Sequence, residues 1–172
     1  PFSLFPISSF DDNGSSNIIY PSSNSQKPRY GNNMSQKVTV SVIKADVGSV
    51  AGHSKPHPKM MRKCEEVLTD GVKAGTINDF FVTRVGDDIN LFMTHYKGEN
   101  HKDVHALAWT AFQAAAKLAK EMKMYAAGQD ILSDAFSGNI RGMGPGAAEV
   151  EFTERGAEPM IFFMADKTEP SA

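Results

Sequence analysis

The pattern of hydrophobic and polar residues changes at about residue 37. Residues 1–36 are rich in Ser, Asn, Pro and Gly and show no sustained helical or strand periodicity, so we predict a disordered tail there. From Lys37 onward, apolar residues recur with the spacing of regular secondary structure. The chain therefore divides into a tail, 1–36, and one folded region, 37–172.

Two helices and five strands are predicted in the folded region. Apolar residues spaced three or four apart predict helices over 58–73 and 102–123, and β-branched or alternating runs predict strands over 38–43, 79–85, 89–95, 148–153 and 160–165. This order, β-α-β-β-α-loop-β-β, predicts an α+β fold. We expect helices on one face of a mainly antiparallel sheet.

Composition and charge exclude several classes of protein. Lys and Arg total 18 and Asp and Glu total 20, giving a net charge of −2, which provides no general attraction to nucleic acid or anionic membranes. The single cysteine, Cys64, excludes an intrachain disulfide and a thiolate-rich zinc or iron–sulfur site within one chain. No apolar run is long enough to span a bilayer. We expect a cytoplasmic protein.

Aspartates stand at the ends of several predicted strands. They are Asp46, the adjacent pair Asp87 and Asp88 in the predicted hairpin turn, and Asp166. Aspartate is a common turn residue, but carboxylates gathered at one sheet edge repel unless a cation binds them. Oxygen ligands without thiolates favour Mg²⁺, Mn²⁺ or Ca²⁺ over zinc. His53 follows Asp46 closely enough to reach the same cation or a phosphate.

A Gly-rich segment, 128–146, is a candidate for binding an anion. Its glycines allow backbone N–H groups to approach an anion closely, and Arg141 adds positive charge. The segment is neither a Walker A loop nor a dinucleotide fingerprint. Lys167, directly after Asp166, is either an exposed lysine or a cation that neutralises a phosphate from the other side. The residues together favour a site that handles a divalent metal and a phosphate.

Four motifs carry a resemblance to a known family. They are VSVIKADVGSVAGH (40–53), VGDD (85–88), YAAGQDILSDAFSGNIRGMGPG (125–146) and FMADKTEP (163–170). They resemble the archaeal and bacterial fructose-1,6-bisphosphate aldolase/phosphatases, over about 34–172. The resemblance implies an Mg²⁺-dependent gluconeogenic enzyme. One site would join dihydroxyacetone phosphate to glyceraldehyde 3-phosphate and then hydrolyse the 1-phosphate, leaving fructose 6-phosphate.

The resemblance also implies roles for individual residues. It implies a proton acceptor of the phosphatase step, Asp46; metal ligands Asp46, His53, Asp87, Asp88, Gln129 and Asp166; and substrate contacts His53, Tyr125, Gly138, Asn139 and Lys167. It further implies a layered α-β-β-α sandwich, of which this chain supplies about half, and assembly into octamers. Family chains continue past FMADKTEP, and their Schiff-base lysine and aldol-step tyrosine lie in that continuation, so we expect this chain to be an N-terminal portion.

Two alternatives remain open from the sequence. A Gly-Asp-Asp hairpin turn with an earlier strand-end aspartate is also the arrangement of a polymerase-like palm module, although this chain has no basic stripe for nucleic acid. The other alternative is a non-catalytic remnant that binds Mg²⁺ or phosphate. The residues of this chain do not separate the remnant from the enzyme.

Overall fold

The computed structural model describes the backbone of residues 7–10 and 16–19 and the complete residues 37–51, 53–128, 131, 144–153 and 160–165. Within these residues the chain forms six strands and two helices. In order they are β1 (Ile7–Phe10), β2 (Ser16–Ile19), β3 (Lys37–Ala45), α1 (Pro58–Lys73), β4 (Asp79–Val85), β5 (Asp88–His95), α2 (Lys102–Glu121) and β6 (Gly146–Thr153). The predicted α+β class is confirmed.

Four strands form one antiparallel sheet in the order β4-β5-β3-β6. The central strand β3 pairs with β5 on one side, where Ile43 lies opposite Leu91, and with β6 on the other, where Ile43 lies opposite Ala147. β4 and β5 form the predicted hairpin, in which Val85 pairs with Asp88 across a two-residue turn. This topology brings the end of β3 and the β4–β5 turn to the same end of the sheet.

The helices cover one face of this sheet. Every second residue of β3 and β5 lies on that face, as the two-residue period of a strand requires. These residues share one buried cluster with the apolar stripes of both helices: Ile43, Ala45, Val47, Met60, Met61, Cys64, Leu68, Ile77, Val82, Ile89, Leu91, Met93, Val104, Ala108, Ala111, Phe112, Ala115, Ala116 and Ala119. Burial of this set is the main source of stability for the sheet and its helices.

Local chemistry explains where the helices begin. His57 precedes α1, its imidazole Nδ1 accepts a hydrogen bond from the N–H of Lys59, and Pro58 occupies the first turn, where its missing N–H is not needed. His101 caps α2 in the same way through the N–H of Asp103. The described part of the chain contains no helix with the length and hydropathy needed to cross a membrane.

The ends of the chain depart from the predicted pattern at particular residues. In the tail, Ile7–Phe10 pairs antiparallel with Ser16–Ile19, and the disordered tail stays a prediction for the rest of 1–36. Residues 160–165 form no strand. Their apolar side chains gave a strand-like pattern, but Ile161 is 74% and Phe163 93% exposed, and hydropathy alone does not supply a partner strand.

Candidate metal site

The site begins where β3 ends. Asp46 follows the strand and is buried, and its Oδ1 accepts a hydrogen bond of 3.0 Å from the N–H of Gly48. Gly48 has a φ of 123°, a conformation that L-residues with a side chain rarely adopt. A Cβ at this position would lie 3.0 Å from both the Ala119 Cβ and the Ala127 Cα. Gly48 is therefore closely packed, and its N–H helps to hold the Asp46 carboxylate in place.

A second loop holds this turn in place. Ser49 and Tyr125 exchange both backbone hydrogen bonds, at 2.9 and 3.0 Å, and the N–H of Gly128 donates to the Val47 carbonyl at 3.0 Å. The loop after α2 is thus joined to the loop after β3. The ring of Tyr125 lies edge-on to the imidazole of His53, with 4.7 Å between ring centroids. Residues 72 positions apart in the sequence therefore meet at the site.

The β4–β5 turn supplies the other acidic residues. Gly86 takes a φ of 59°, which a glycine adopts without steric cost, and the following Asp87 and Asp88 are 6% and 7% exposed. Such burial disfavours ionised carboxylates unless each has a charged partner or strong hydrogen-bond donors. Asp88 forms an ion pair with Lys44 of β3, and Asp87 Oδ2 lies within hydrogen-bond distance, 2.8 Å, of His53 Nδ1.

Asp46, His53 and Asp87 form a group in which one potential ligand atom of each residue lies within 4.8 Å of the others. The Nδ1 of His53 is 2.8 Å from Asp87 Oδ2 and 3.8 Å from Asp46 Oδ2. Because a carboxylate only accepts, Nδ1–H of His53 donates to Asp87. Two carboxylates and an imidazole at this separation are a ligand set that fits a divalent cation, which would take the place of the proton between His53 Nδ1 and Asp87.

The structure brings together some of the predicted site residues. Asp46, His53 and Asp87 form the group, and Tyr125 borders it through His53. Asp88 lies next to Asp87 in the chain, but its carboxylate pairs with Lys44 and is not a member of the three-residue group. The remaining predicted site residues lie outside the described part of the chain: Gln129, Gly138, Asn139, Asp166 and Lys167.

Sequence reasoning missed Lys44. Its side chain is 43% exposed, and its ammonium pairs with the almost buried carboxylate of Asp88. The signal was present in the motif Lys44-Ala45-Asp46, because alternation on a strand places Lys44 and Asp88 on the same sheet face once β3 and β5 are paired. The pairing itself, Lys44 opposite Asn90, was not known from the sequence.

A second polar network lies near the other end of β3. Ser41 Oγ is 2.8 Å from His95 Nε2 and donates to Glu149 Oε1 at 2.6 Å, and His105 Nε2 approaches the same oxygen at 3.0 Å. The N–H of Lys97 donates to His95 Nδ1, so the neutral ring carries its proton on Nε2 and donates to Ser41. Because Ser41 is fully buried and gives its proton to a carboxylate, this network is structural.

Burial and hydrogen bonds shift the pKa values of three groups outside the candidate metal site. Burial lowers the pKa of His95, although Glu149 opposes this effect. For Glu149, burial acts to raise the pKa, but hydrogen bonds from Ser41, Asn100 and His105 together outweigh it and leave the pKa lowered. Burial raises the pKa of the Cys64 thiol to about 12. A thiol with this pKa is protonated at neutral pH, as expected for a cysteine that lies in the buried core cluster.

Comparison of the sequence with known proteins finds a matching family profile and relatives that carry related names. A family profile described as fructose-1,6-bisphosphatase matches residues 37–172. The fructose-1,6-bisphosphate aldolase/phosphatase of Ignicoccus hospitalis is 62% identical over 139 residues, covering 81% of this chain and 36% of that protein. The protein of the same name from Methanothermobacter marburgensis is 55% identical over 136 residues, covering 79% of this chain and 37% of that protein.

A third relative with this name, from Pyrobaculum neutrophilum, is 58% identical over 137 residues, or 79% of this chain and 34% of that protein. The chain therefore spans about a third of the length of the curated relatives it matches. The family profile begins at residue 37, the boundary between tail and folded region, and the profile and relatives together confirm the resemblance that the four motifs carry.

Proposed function

This chain belongs to the fructose-1,6-bisphosphatase family, and from that membership we propose that it serves an Mg²⁺-dependent fructose-1,6-bisphosphate aldolase/phosphatase of gluconeogenesis. The observation that carries the proposal is the convergence of Asp46, His53 and Asp87 at one end of the sheet. Its relatives are named for both activities. In this proposal, the chain contributes the part of the site that handles the metal and the phosphate.

The donor set supports a divalent cation that prefers oxygen ligands. Asp46 and Asp87 offer carboxylate oxygens, and His53 offers a ring nitrogen. Both carboxylates are buried, so an ion between them would offset their repulsion in a medium that screens poorly. The absence of thiolates among these three residues disfavours soft metals. We propose Mg²⁺, with Asp88, Gln129 and Asp166 as further ligands by family resemblance.

In the proposed phosphatase step, Asp46 and His53 have different roles. A bound cation would polarise the phosphate and lower the pKa of the attacking water. Asp46 is held by the Gly48 N–H through Oδ1, and its Oδ2 faces His53 at 3.8 Å, so its carboxylate is oriented to accept the proton of that water. His53, one-third exposed and fixed by Asp87, can donate to a phosphate oxygen.

Tyr125 is proposed to contact the substrate from the rim of the site. It is 52% exposed, and its ring is oriented against His53. By resemblance, Gly138, Asn139 and Lys167 bind the sugar phosphate as well. No residue of this chain is assigned as the Schiff-base lysine or the aldol-step tyrosine. The substrates would be fructose 1,6-bisphosphate, dihydroxyacetone phosphate and glyceraldehyde 3-phosphate, and the assembly a cytoplasmic octamer.

A chimera tests the proposal. Residues 37–172 would replace the matching segment of the Ignicoccus hospitalis relative, and phosphate release from fructose 1,6-bisphosphate would be measured with and without Mg²⁺. We expect Mg²⁺-dependent release by the chimera. Asp46→Asn should reduce the rate by about 10²-fold or more, because it removes a group positioned at the reacting water. The 172-residue chain alone should show no aldolase activity and at most weak phosphatase activity.

Two outcomes separate the alternatives. A chimera that folds and binds Mg²⁺ but releases no phosphate would favour the non-catalytic remnant. Phosphate release that is unchanged by Asp46→Asn would remove Asp46 from the proposed chemistry. Lys63→Met is a suitable control, since Lys63 lies on α1 in an exposed pair with Glu66 and should leave the rate unchanged.

A further inference from the structure

Each of the buried carboxylates at the site has a basic partner on this chain. His53 Nδ1 lies 2.8 Å from Asp87 and 3.8 Å from Asp46, and Lys44 pairs with Asp88. Adjacent carboxylates that are less than a tenth exposed would otherwise repel one another. Asp46, His53 and Asp87 form the three-residue group, and Asp88 pairs with Lys44.

The sheet explains why Lys44 reaches Asp88. On β3, Lys44 lies between Asn90 of β5 and Gly146 of β6, and Asp88 stands two residues before Asn90 on the same face. Beside Gly146 there is no side chain to displace the lysine stem: a Cβ built there would be 3.4 Å from Lys44 Cγ and 3.7 Å from Cε. Lys44 therefore has room to approach Asp88 diagonally across the sheet.

The two partners differ in exposure, so Lys44 rather than Asp88 can move into water when the pair breaks. The Asp88 side chain is 9% exposed, whereas that of Lys44 is 43% exposed. If Asp88 turned to another cation, the Lys44 ammonium could move into water and regain its hydration. Breaking the pair in this way leaves no unpaired charge buried, which is the costly outcome for an ion pair.

We propose that Lys44 is a positioning residue that holds Asp88 outside the three-residue group until a divalent cation binds and takes the carboxylate from it. This inference rests on the proposed metal site. Lys44 and the cation are competing partners of one carboxylate, so each lowers the affinity of Asp88 for the other. The Lys44 ammonium also repels a divalent cation that binds Asp88. Lys44 therefore weakens metal binding.

The test is metal affinity in Lys44→Met, which keeps the length of the side chain and removes its charge. Mg²⁺ binding to the 172-residue chain would be measured by calorimetry, and Mn²⁺ binding by loss of the free-ion electron paramagnetic resonance signal. We expect affinity to rise roughly tenfold, within the usual range of coupling between two ligands. Lys44→Arg, which keeps the charge, should bind as weakly as the wild type. Lys63→Met, which breaks an exposed ion pair on α1, should leave affinity unchanged.

A thermal melt provides a second readout. Without metal, Lys44→Met removes the ammonium from the buried Asp88 carboxylate and should melt at a lower temperature than the wild type. With saturating Mg²⁺ the difference in melting temperature should shrink. If Lys44→Met does not fold without metal, Lys44→Gln offers a neutral donor to Asp88 and should show the same tighter binding. Unchanged or weaker binding in folded Lys44→Met or Lys44→Gln would overturn this inference alone. Absence of binding by the wild type would overturn the metal site together with this inference.

Discussion

Replacing Gly48 with alanine should damage both the stability of the chain and its candidate site. Gly48 has a φ of 123°, and a residue with a Cβ held in such a region costs about 1–3 kcal/mol. The new Cβ would also lie 3.0 Å from the Ala119 Cβ and from the backbone of Ala127. One of these neighbours belongs to the core and the other to a loop tied to the site, so neither can move without a cost.

The structure offers a matched control in Gly75. It also has a positive φ, 71°, but a Cβ there would meet nothing within 4 Å. Gly75→Ala should therefore lower the free energy of unfolding by about 1–2 kcal/mol, the cost of a left-handed conformation for a residue with a Cβ. Gly48→Ala should lower it by about 2–4 kcal/mol, because steric crowding adds to that cost. Urea denaturation would measure both losses. If the free energy of unfolding depends on urea concentration with the same slope in all variants, the shift of the unfolding midpoint gives each change in stability.

Metal affinity distinguishes the two variants further. The N–H of Gly48 orients Asp46, and the neighbouring Ser49 is joined to Tyr125. Gly48→Ala should therefore weaken Mg²⁺ binding by about tenfold, since small misplacement of a ligand group is costly, while Gly75→Ala should not change it. Equal destabilisation by both alanines, or unchanged Mg²⁺ affinity in Gly48→Ala, would refute the account of a tightly packed turn at the site.

Four further predictions concern buried groups away from the site. Ser41→Ala should lower the free energy of unfolding, measured by urea denaturation, by about 1–3 kcal/mol because Glu149 loses a buried donor. Thr39→Val should be neutral or stabilising in the same assay, since among the described residues its buried hydroxyl has no hydrogen-bond partner. Burial lowers the pKa of His95 below its ordinary 6.5, so the unfolded chain takes up a proton first and stability falls as pH drops below that value. In His95→Gln the free energy of unfolding, measured by urea denaturation at a series of pH values, should decrease less as the pH falls. An unchanged pH dependence would exclude His95 as the cause. The buried thiol of Cys64, with a pKa of about 12, should react with a thiol reagent only after unfolding; rapid reaction in the native state would contradict its burial.

Much of the fold follows from local pattern. The helix α2 was predicted because its apolar residues repeat over five turns, and the β4–β5 hairpin because two alternating runs flank Gly86. The sequence also predicts the acidic group, because aspartates at strand ends can converge on one edge of a sheet. The helix and the hairpin depend on neighbours in sequence, whereas Asp46 and Asp87 lie together through the pairing of β3 with β5.

The remaining features depend on pairing between distant segments. The Lys44–Asp88 pair requires the register of β3 against β5, and the closeness of His53 to Tyr125 requires the bridge at Ser49. Neither is encoded in hydropathy. Residues 160–165 show the opposite error, because an apolar run was interpreted as a strand although the described chain gives it no strand partner.

The proposed site requires that Asp46, His53 and Asp87 bind one divalent cation. Anomalous diffraction from crystals of the chain grown with Mn²⁺ measures this directly, because Mn²⁺ occupies Mg²⁺ sites and scatters anomalously. We expect a peak bounded by the two carboxylates and the imidazole, at about 2.0–2.3 Å from their ligand atoms, and its loss in Asp87→Asn. A peak elsewhere, or no peak at this site at saturating Mn²⁺, would contradict it.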